Sequence, residues 1–133
     1  MMTEILTKHP TEILILLFLI VIFLQSGIDK LIDWKGNLSF ITEHFKSSPL
    51  KNMVPLLLGI VLVTEVTSSL FMIIGVCQII SSGVKDFAFY GIELAALTLI
   101  LLLIGQRLAK DYTGAMTLAV YFIITIFGLY ILV

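Results

Sequence analysis

A chain of 133 residues that is 59% hydrophobic and 13% charged does not suit a soluble domain. About 45–50% apolar and about 25% charged residues are usual there, and a domain this small has too little interior to hide the excess. The net charge of −1 offers no basic surface to a nucleic acid. The single cysteine, Cys77, makes neither an internal disulfide nor a C-x-x-C pair, which argues against a self-contained thiol–disulfide exchange enzyme.

Residues 1–12 are short and polar with no small-residue cleavage site. The apolar run after them is therefore expected as a retained helix rather than a signal peptide. Spanning a bilayer core of about 30 Å takes about 20 mostly apolar residues at about 1.5 Å of rise each. The first run is unbroken only from Ile13 to Leu24. It reaches across only if the helix continues through Gln25, Ser26, Gly27 and Ile28, and residues 11–32 are expected as the first span.

A longer connection follows, with Asp33, Trp34, Lys35, Gly36 and Asn37 at its start. Leu38, Phe40, Ile41 and Phe45 fall on one helical face, and Ser39, Thr42, Glu43 and Lys46 on the other. Residues 37–46 are expected as an amphipathic helix lying on the membrane surface, capped by Asn37 and anchored at the headgroups by Trp34. His44 on this helix reads as an ordinary surface histidine, and so does His9 near the start.

The second span covers residues 53–80, with Pro55 in its first turn, where a missing N–H costs little. Ser81, Ser82 and Gly83 stop it. The third covers residues 87–108, and the turn from Lys110 to Gly114 leads to the fourth, residues 115–133. None of these runs alternates with the period of a membrane β-strand. The expected fold class is all-α: a four-helix transmembrane bundle with a short amphipathic interfacial helix between helices 1 and 2, forming one integral membrane domain.

Orientation follows from lysine and arginine in the short loops. Lys30, Lys35, Lys46, Lys51, Arg107 and Lys110 lie at one end of the bundle, and Lys8 and Lys85 at the other. The first end is expected in the cytoplasm and both termini outside.

The stretch from Phe23 to Asp33 resembles the first-helix signature of the DoxX-like family of small four-helix bacterial membrane proteins. Gly27, Lys30 and Leu31 match it, with the aromatic Phe40 further on. Gly59, followed by the intramembrane Glu65, matches the second helix of that family. The likeness extends to the architecture, with one longer first loop and short later ones. The chain departs from the more basic versions of the pattern in having no arginine in the first helix. The resemblance implies a protein of the bacterial inner (cytoplasmic) membrane, linked to thiosulfate:quinone oxidoreduction, to membrane redox defence or to assembly, without fixing a reaction.

Intramembrane charges cost about 2.5–3.5 kcal/mol each on insertion scales, so each is a functional hypothesis. Glu65 lies near the middle of the second span, and Glu93 about 6 Å from the middle of the third by helical rise. Gln25 lies a little off centre in the first, with Asp29 and Lys30 one turn beyond. Antiparallel neighbours are expected to bring Gln25, Asp29, Lys30, Glu65 and Glu93 into one polar pocket, with hydroxyls from Thr64, Ser68 and Thr98 and phenols from Tyr90 and Tyr121. Asp29 and Lys30 have two other outlets: pairing with Arg107, or snorkelling of Lys30 to the interface. Two carboxylates close together in low dielectric favour keeping a proton. The structural alternative is a glutamic acid that only hydrogen-bonds a neighbouring helix.

Gly27, Gly59, Gly75, Gly91, Gly105 and Gly128 are expected to let helices approach closely, and Cys77 reads as a small buried apolar residue. No pair of histidines is placed to grip a haem or a metal within the bundle. No catalytic residue and no resident cofactor is expected, a quinone or a lipid being the class of ligand such a pocket would take. The expected partners are the bilayer and a larger membrane complex or a second copy of the chain, with no nucleic acid. The leading functional expectation is a non-catalytic accessory subunit of a redox or quinone-linked complex. The alternative is a small transporter, proton-linked or lipid-binding protein using an intramembrane glutamate. A quinone-reactive enzyme would need a redox centre that the sequence does not supply.

Overall fold

The structure, a computed structural model, describes residues 8–133. Most of the polar lead-in expected over residues 1–12 therefore lies outside the described residues. Five helices follow in chain order: α1 (Pro10–Ile32), α2 (Trp34–His44), α3 (Val54–Ser82), α4 (Asp86–Leu108) and α5 (Tyr112–Leu132). Four of them, α1, α3, α4 and α5, are long and apolar enough to cross a membrane. As expected, α1 does not stop at Leu24 but runs on through Gln25 and Gly27 to Ile32.

The four long helices pack in a ring, α1 against α3, α3 against α4, α4 against α5 and α5 back against α1. One end of the bundle, here the loop end, carries α2 and the α4–α5 turn. The other, the terminal end, carries the starts of α1 and α4 and the ends of α3 and α5.

The α3–α4 seam is the closest contact. On α3 the buried residues Glu65, Ser68, Met72, Gly75 and Ile79 are spaced alternately by three and four. On α4 the buried Ala88, Gly91, Ala95 and Thr98 follow the same spacing, the rule for knobs-into-holes packing near +20°. Lipid is as apolar as leucine, so backbone approach rather than the hydrophobic effect holds such helices together. A Cβ on Gly75 would collide with the Ala88 backbone, and one on Gly91 would lie 2.8 Å from the Met72 nitrogen. Gly128 plays the same part between α5 and α1, where a Cβ would come within 2.8 Å of Ile15. Gly59 departs from expectation: nothing approaches it within 4 Å.

The turns resolve where the helices stop. Gly83 ends α3 in the left-handed region at φ 74°, where glycine is the least strained choice. Gln78 in the last turns of α3 accepts a hydrogen bond from the Phe87 N–H at 3.3 Å, satisfying a donor that the start of α4 leaves open. The α4–α5 turn is shorter than the sequence suggests. Lys110 takes the left-handed position at φ 62°, and Asp111 caps α5 by accepting from Gly114 N at 2.9 Å. Helix α5 therefore starts at Tyr112, three residues before the expected position, because an aspartate three residues before the glycine is a ready N-cap.

Helix α2 differs from expectation in start, cap and facing. It begins at Trp34, and its cap is Asp33, whose carboxylate accepts from Gly36 N at 3.1 Å. Asn37 instead donates from Nδ2 to the carbonyls of Asp33 and Asp29 at 2.8 and 3.2 Å, tying α2 to the last turn of α1. Trp34, Leu38, Ile41 and Phe45 are half-buried, whereas Phe40 is exposed. Phe45 lies 3.3 Å from where a Cβ on Gly105 would be. The apolar face of α2 is thus turned partly toward the bundle and covers its loop end.

Candidate functional site

Lys30 and Glu65 meet inside the bundle. The Lys30 Nζ lies 2.8 Å from Glu65 Oε1, with side-chain exposures of 14% and 3%. Glu65 sits near the middle of α3, whereas Lys30 lies two residues before the end of α1. They reach one another because helical side chains lean toward their helix N-terminus. For α1 that direction leads away from the loop end and into the bundle. The lysine follows it: Nζ donates to Ser26 Oγ at 2.7 Å, one turn back, with the Ser26 carbonyl at 3.4 Å. Gly27 lets the helices cross at this level, where a Cβ would stand 3.0 Å from Val66 Cγ2. Lys30 therefore does not snorkel to the interface, and among the described residues Asp29 forms no ion pair with Arg107. Arg107 lies over the Tyr112 ring, 4.9 Å from its centroid.

The pair is close in distance but its geometry is incomplete. Glu65 Oε1 is fully buried and accepts no aligned hydrogen bond, although the ammonium stands at ion-pair distance. The lysine's aligned hydrogen bonds run to Ser26, leaving the carboxylate held mainly by charge. Neutralising two charges in low dielectric offsets the cost of burying them. Removing one partner is far more damaging than the pair is stabilising.

The remaining candidates of the polar pocket do not join the pair. Gln25, Asp29 and Glu93 are exposed on the outside of the bundle. Gln25 lies off the buried face of α1, which runs through Phe23 and Gly27. Glu93 follows the buried Ile92 and points away from the α3–α4 seam. The hydroxyls serve packing. Ser68 Oγ donates to the Gly91 carbonyl on α4 at 2.9 Å, an interhelical bond worth about 0.6 kcal/mol. Thr64 and Thr98 bond carbonyls of their own helices. Tyr90 is 55% exposed and Tyr121 half-buried. Cys77, expected to be buried, is exposed on the outward side of α3.

Each end of the bundle has its own latch. At the loop end, His44 Nε2 lies 3.2 Å from Asp111 Oδ2 and 3.4 Å from Gln106 Oε1. Both neighbours are oxygens that can accept from an N–H on Nε2. The sequence does not single out this histidine, because its partners stand more than 60 residues away and no local spacing signals them. The one available signal is Asp111, a helix cap with a second oxygen free for a partner. At the terminal end, Glu12 Oε2 accepts from His9 Nδ1 at 2.9 Å and faces Lys85 Nζ at 3.5 Å, joining α1 to the α3–α4 turn. Among the described residues, no three of His, Cys, Asp and Glu converge as a metal-ligand group.

Four membrane-length helices around a buried ion pair define the class: a multi-pass integral membrane protein. Comparison with protein-family models, curated proteins and solved structures gives no match.

Proposed function

We propose that the chain is a non-catalytic accessory subunit of a larger membrane assembly, of the DoxX-like kind, serving a redox or quinone-linked complex in a bacterial inner membrane. The observation that carries the accessory reading is the division of its intramembrane polar groups. The buried charge pair, Lys30 with Glu65, is neutralised within the chain, while Gln25 and Glu93 face outward from the bundle. Ionisable groups in membrane spans almost always face the bundle interior or a water-filled cavity and pair there, and a polar group turned outward asks for a second protein. The redox association rests on the family resemblance. Its support is that Lys30 and Glu65, two of the residues carrying that resemblance, are the two that meet. The loop end, with five basic residues against two once Lys30 is drawn into the bundle, is the cytoplasmic end in this reading.

Affinity purification in mild detergent tests it. A larger membrane partner in stoichiometric amount is the expected result, and a monodisperse chain with nothing bound overturns it.

A second reading draws on the unaligned Glu65 Oε1. A buried carboxylate oxygen lacking a good donor is a place for a proton or a small polar headgroup, as in a proton-linked carrier or a lipid-binding protein. An open apolar hollow on the outward side of α3, lined by Pro55, Leu56, Gly59, Ile60, Val63 and Thr64, lies on the same half of that helix. This reading requires Glu65→Gln to change proton or solute flux in reconstituted vesicles, or lipid retention on purification. Wild-type behaviour in all three removes it.

A further inference from the structure

The outward face of α4 is a continuous stripe. Asp86, Tyr90, Glu93, Leu97, Ile100, Ile104 and Arg107 are all exposed and are spaced alternately by four and three. That spacing presents one seam to a neighbouring helix. An apolar stripe would satisfy lipid, but Glu93 does not. It lies seven residues into α4, about 10 Å along the axis, beyond the reach of a glutamate side chain to the headgroups. Among the described residues no ion pair involves it.

A second copy of the chain brings no cation to this depth. Copies inserted with one orientation place like depths side by side, so a second copy offers Glu93 another Glu93 or the uncharged, outward-facing Gln25, and no cation. The cation inside the spans, Lys30, is held by Glu65 and Ser26. Lys85 is about 12 Å away along the helix and turned toward Glu12. Arg107 lies about 21 Å away at the loop end, over Tyr112.

We propose that the outward face of α4, centred on Glu93, is the docking surface for a transmembrane helix of a different protein, and that this helix presents a lysine or arginine at the depth of Glu93. The proposal rests on the subunit reading and adds to it the face and the chemistry of the partner. Tyr90, one turn from Glu93, lies on the same stripe, beside the place where the partner's cation would sit. Leu97, Ile100 and Ile104 supply the apolar remainder of the seam.

The test places a photo-crosslinking amino acid at Leu97, on the stripe, or at Ile123, on the outward side of α5, in the full chain expressed in its membrane. It is combined with quantitative co-purification of wild type, Glu93→Gln and Glu93→Ala. The expected result is a crosslink from position 97 and not 123, to a partner segment with a lysine or arginine in its span. Co-purified partner should fall about tenfold in Glu93→Ala, with Glu93→Gln between it and wild type. Both variants should remain monodisperse and as heat-stable as wild type, because Glu93 makes no ion pair within the bundle. Four results overturn the proposal: a crosslink to a second copy, one to lipid alone, one to a helix without a basic residue, or undiminished co-purification by Glu93→Ala. In any of these a recovered partner leaves the subunit reading standing. Recovery of no partner by wild type overturns both.

Discussion

Glu65 and Glu93 are the same residue type in adjacent antiparallel helices, each about a turn or less from the middle of its span, yet their surroundings are opposite. Glu65 is 3% exposed and faces Lys30 from α1. Glu93 is exposed on the far side of α4. The contrast teaches that an intramembrane carboxylate has no single meaning. Turned inward and paired, it joins two helices and is closed to other partners. Turned outward and unpaired, it is a demand on a neighbour.

The comparison breaks first at the ion pair. Lys30→Met leaves Glu65 buried without its cation, and a loss of about 3 kcal/mol is expected. That is the lower end of the range for stripping one partner from a buried pair. Reversible unfolding in mixed detergent micelles reads it. The double change Lys30→Met with Glu65→Leu should recover most of the loss. A single variant as stable as wild type would mean that the pair does not hold α1 to α3.

Next come the glycines, which separate inward from outward in the same way. Gly75→Val forces side-chain atoms into the Ala88 backbone and should cost about 1–3 kcal/mol by overpacking. Gly59→Ala enters open space and should stay within about 0.5 kcal/mol of wild type. Equal losses at both sites in the same unfolding assay would contradict the close α3–α4 seam.

Glu93→Gln sharpens the contrast by its silence. With no ion pair to lose, the isolated bundle should unfold within about 0.5 kcal/mol of wild type. A large loss would place Glu93 in the interior and remove its claim on a partner.

The smallest effect belongs to the exposed surface of α2. Lys46 donates to Glu43 at 2.7 Å, and that hydrogen bond, then the carboxylate's charge, raises the lysine pKa above its ordinary value. A raised lysine pKa means that folding favours the protonated form. Its contribution is complete below the ordinary lysine pKa and fades as pH rises through the raised one. Both side chains are mostly exposed, so Glu43→Gln should leave the unfolding midpoint unchanged at neutral pH. A shift there would mean that α2 is held more tightly than its exposure implies.

Much of the architecture was legible because lipid imposes a simple length rule. The four apolar runs became four helices with bounds moved by a few residues, and the passage of α1 through Gln25 and Gly27 followed from the thickness to be crossed. The candidate site was legible only in part. Depth along each helix follows from counting residues, so Gln25, Glu65 and Glu93 were all placed near the middle. Azimuth was not, because a membrane helix is apolar all round and its sequence carries no polar face to mark the outside. Gln25, Asp29 and Glu93 therefore parted from Lys30 and Glu65 only when the helices packed.

By itself, the sequence determined that this chain crosses a membrane with four helices, and at what depth each polar residue sits. Hydrophobic length and rise per residue are local quantities. The tertiary structure alone decided which carboxylate is paired and which faces out, and that His44 meets Asp111 across the loop end. Those outcomes depend on where glycines let backbones approach and on the lean of side chains toward helix N-termini. No single segment contains that information.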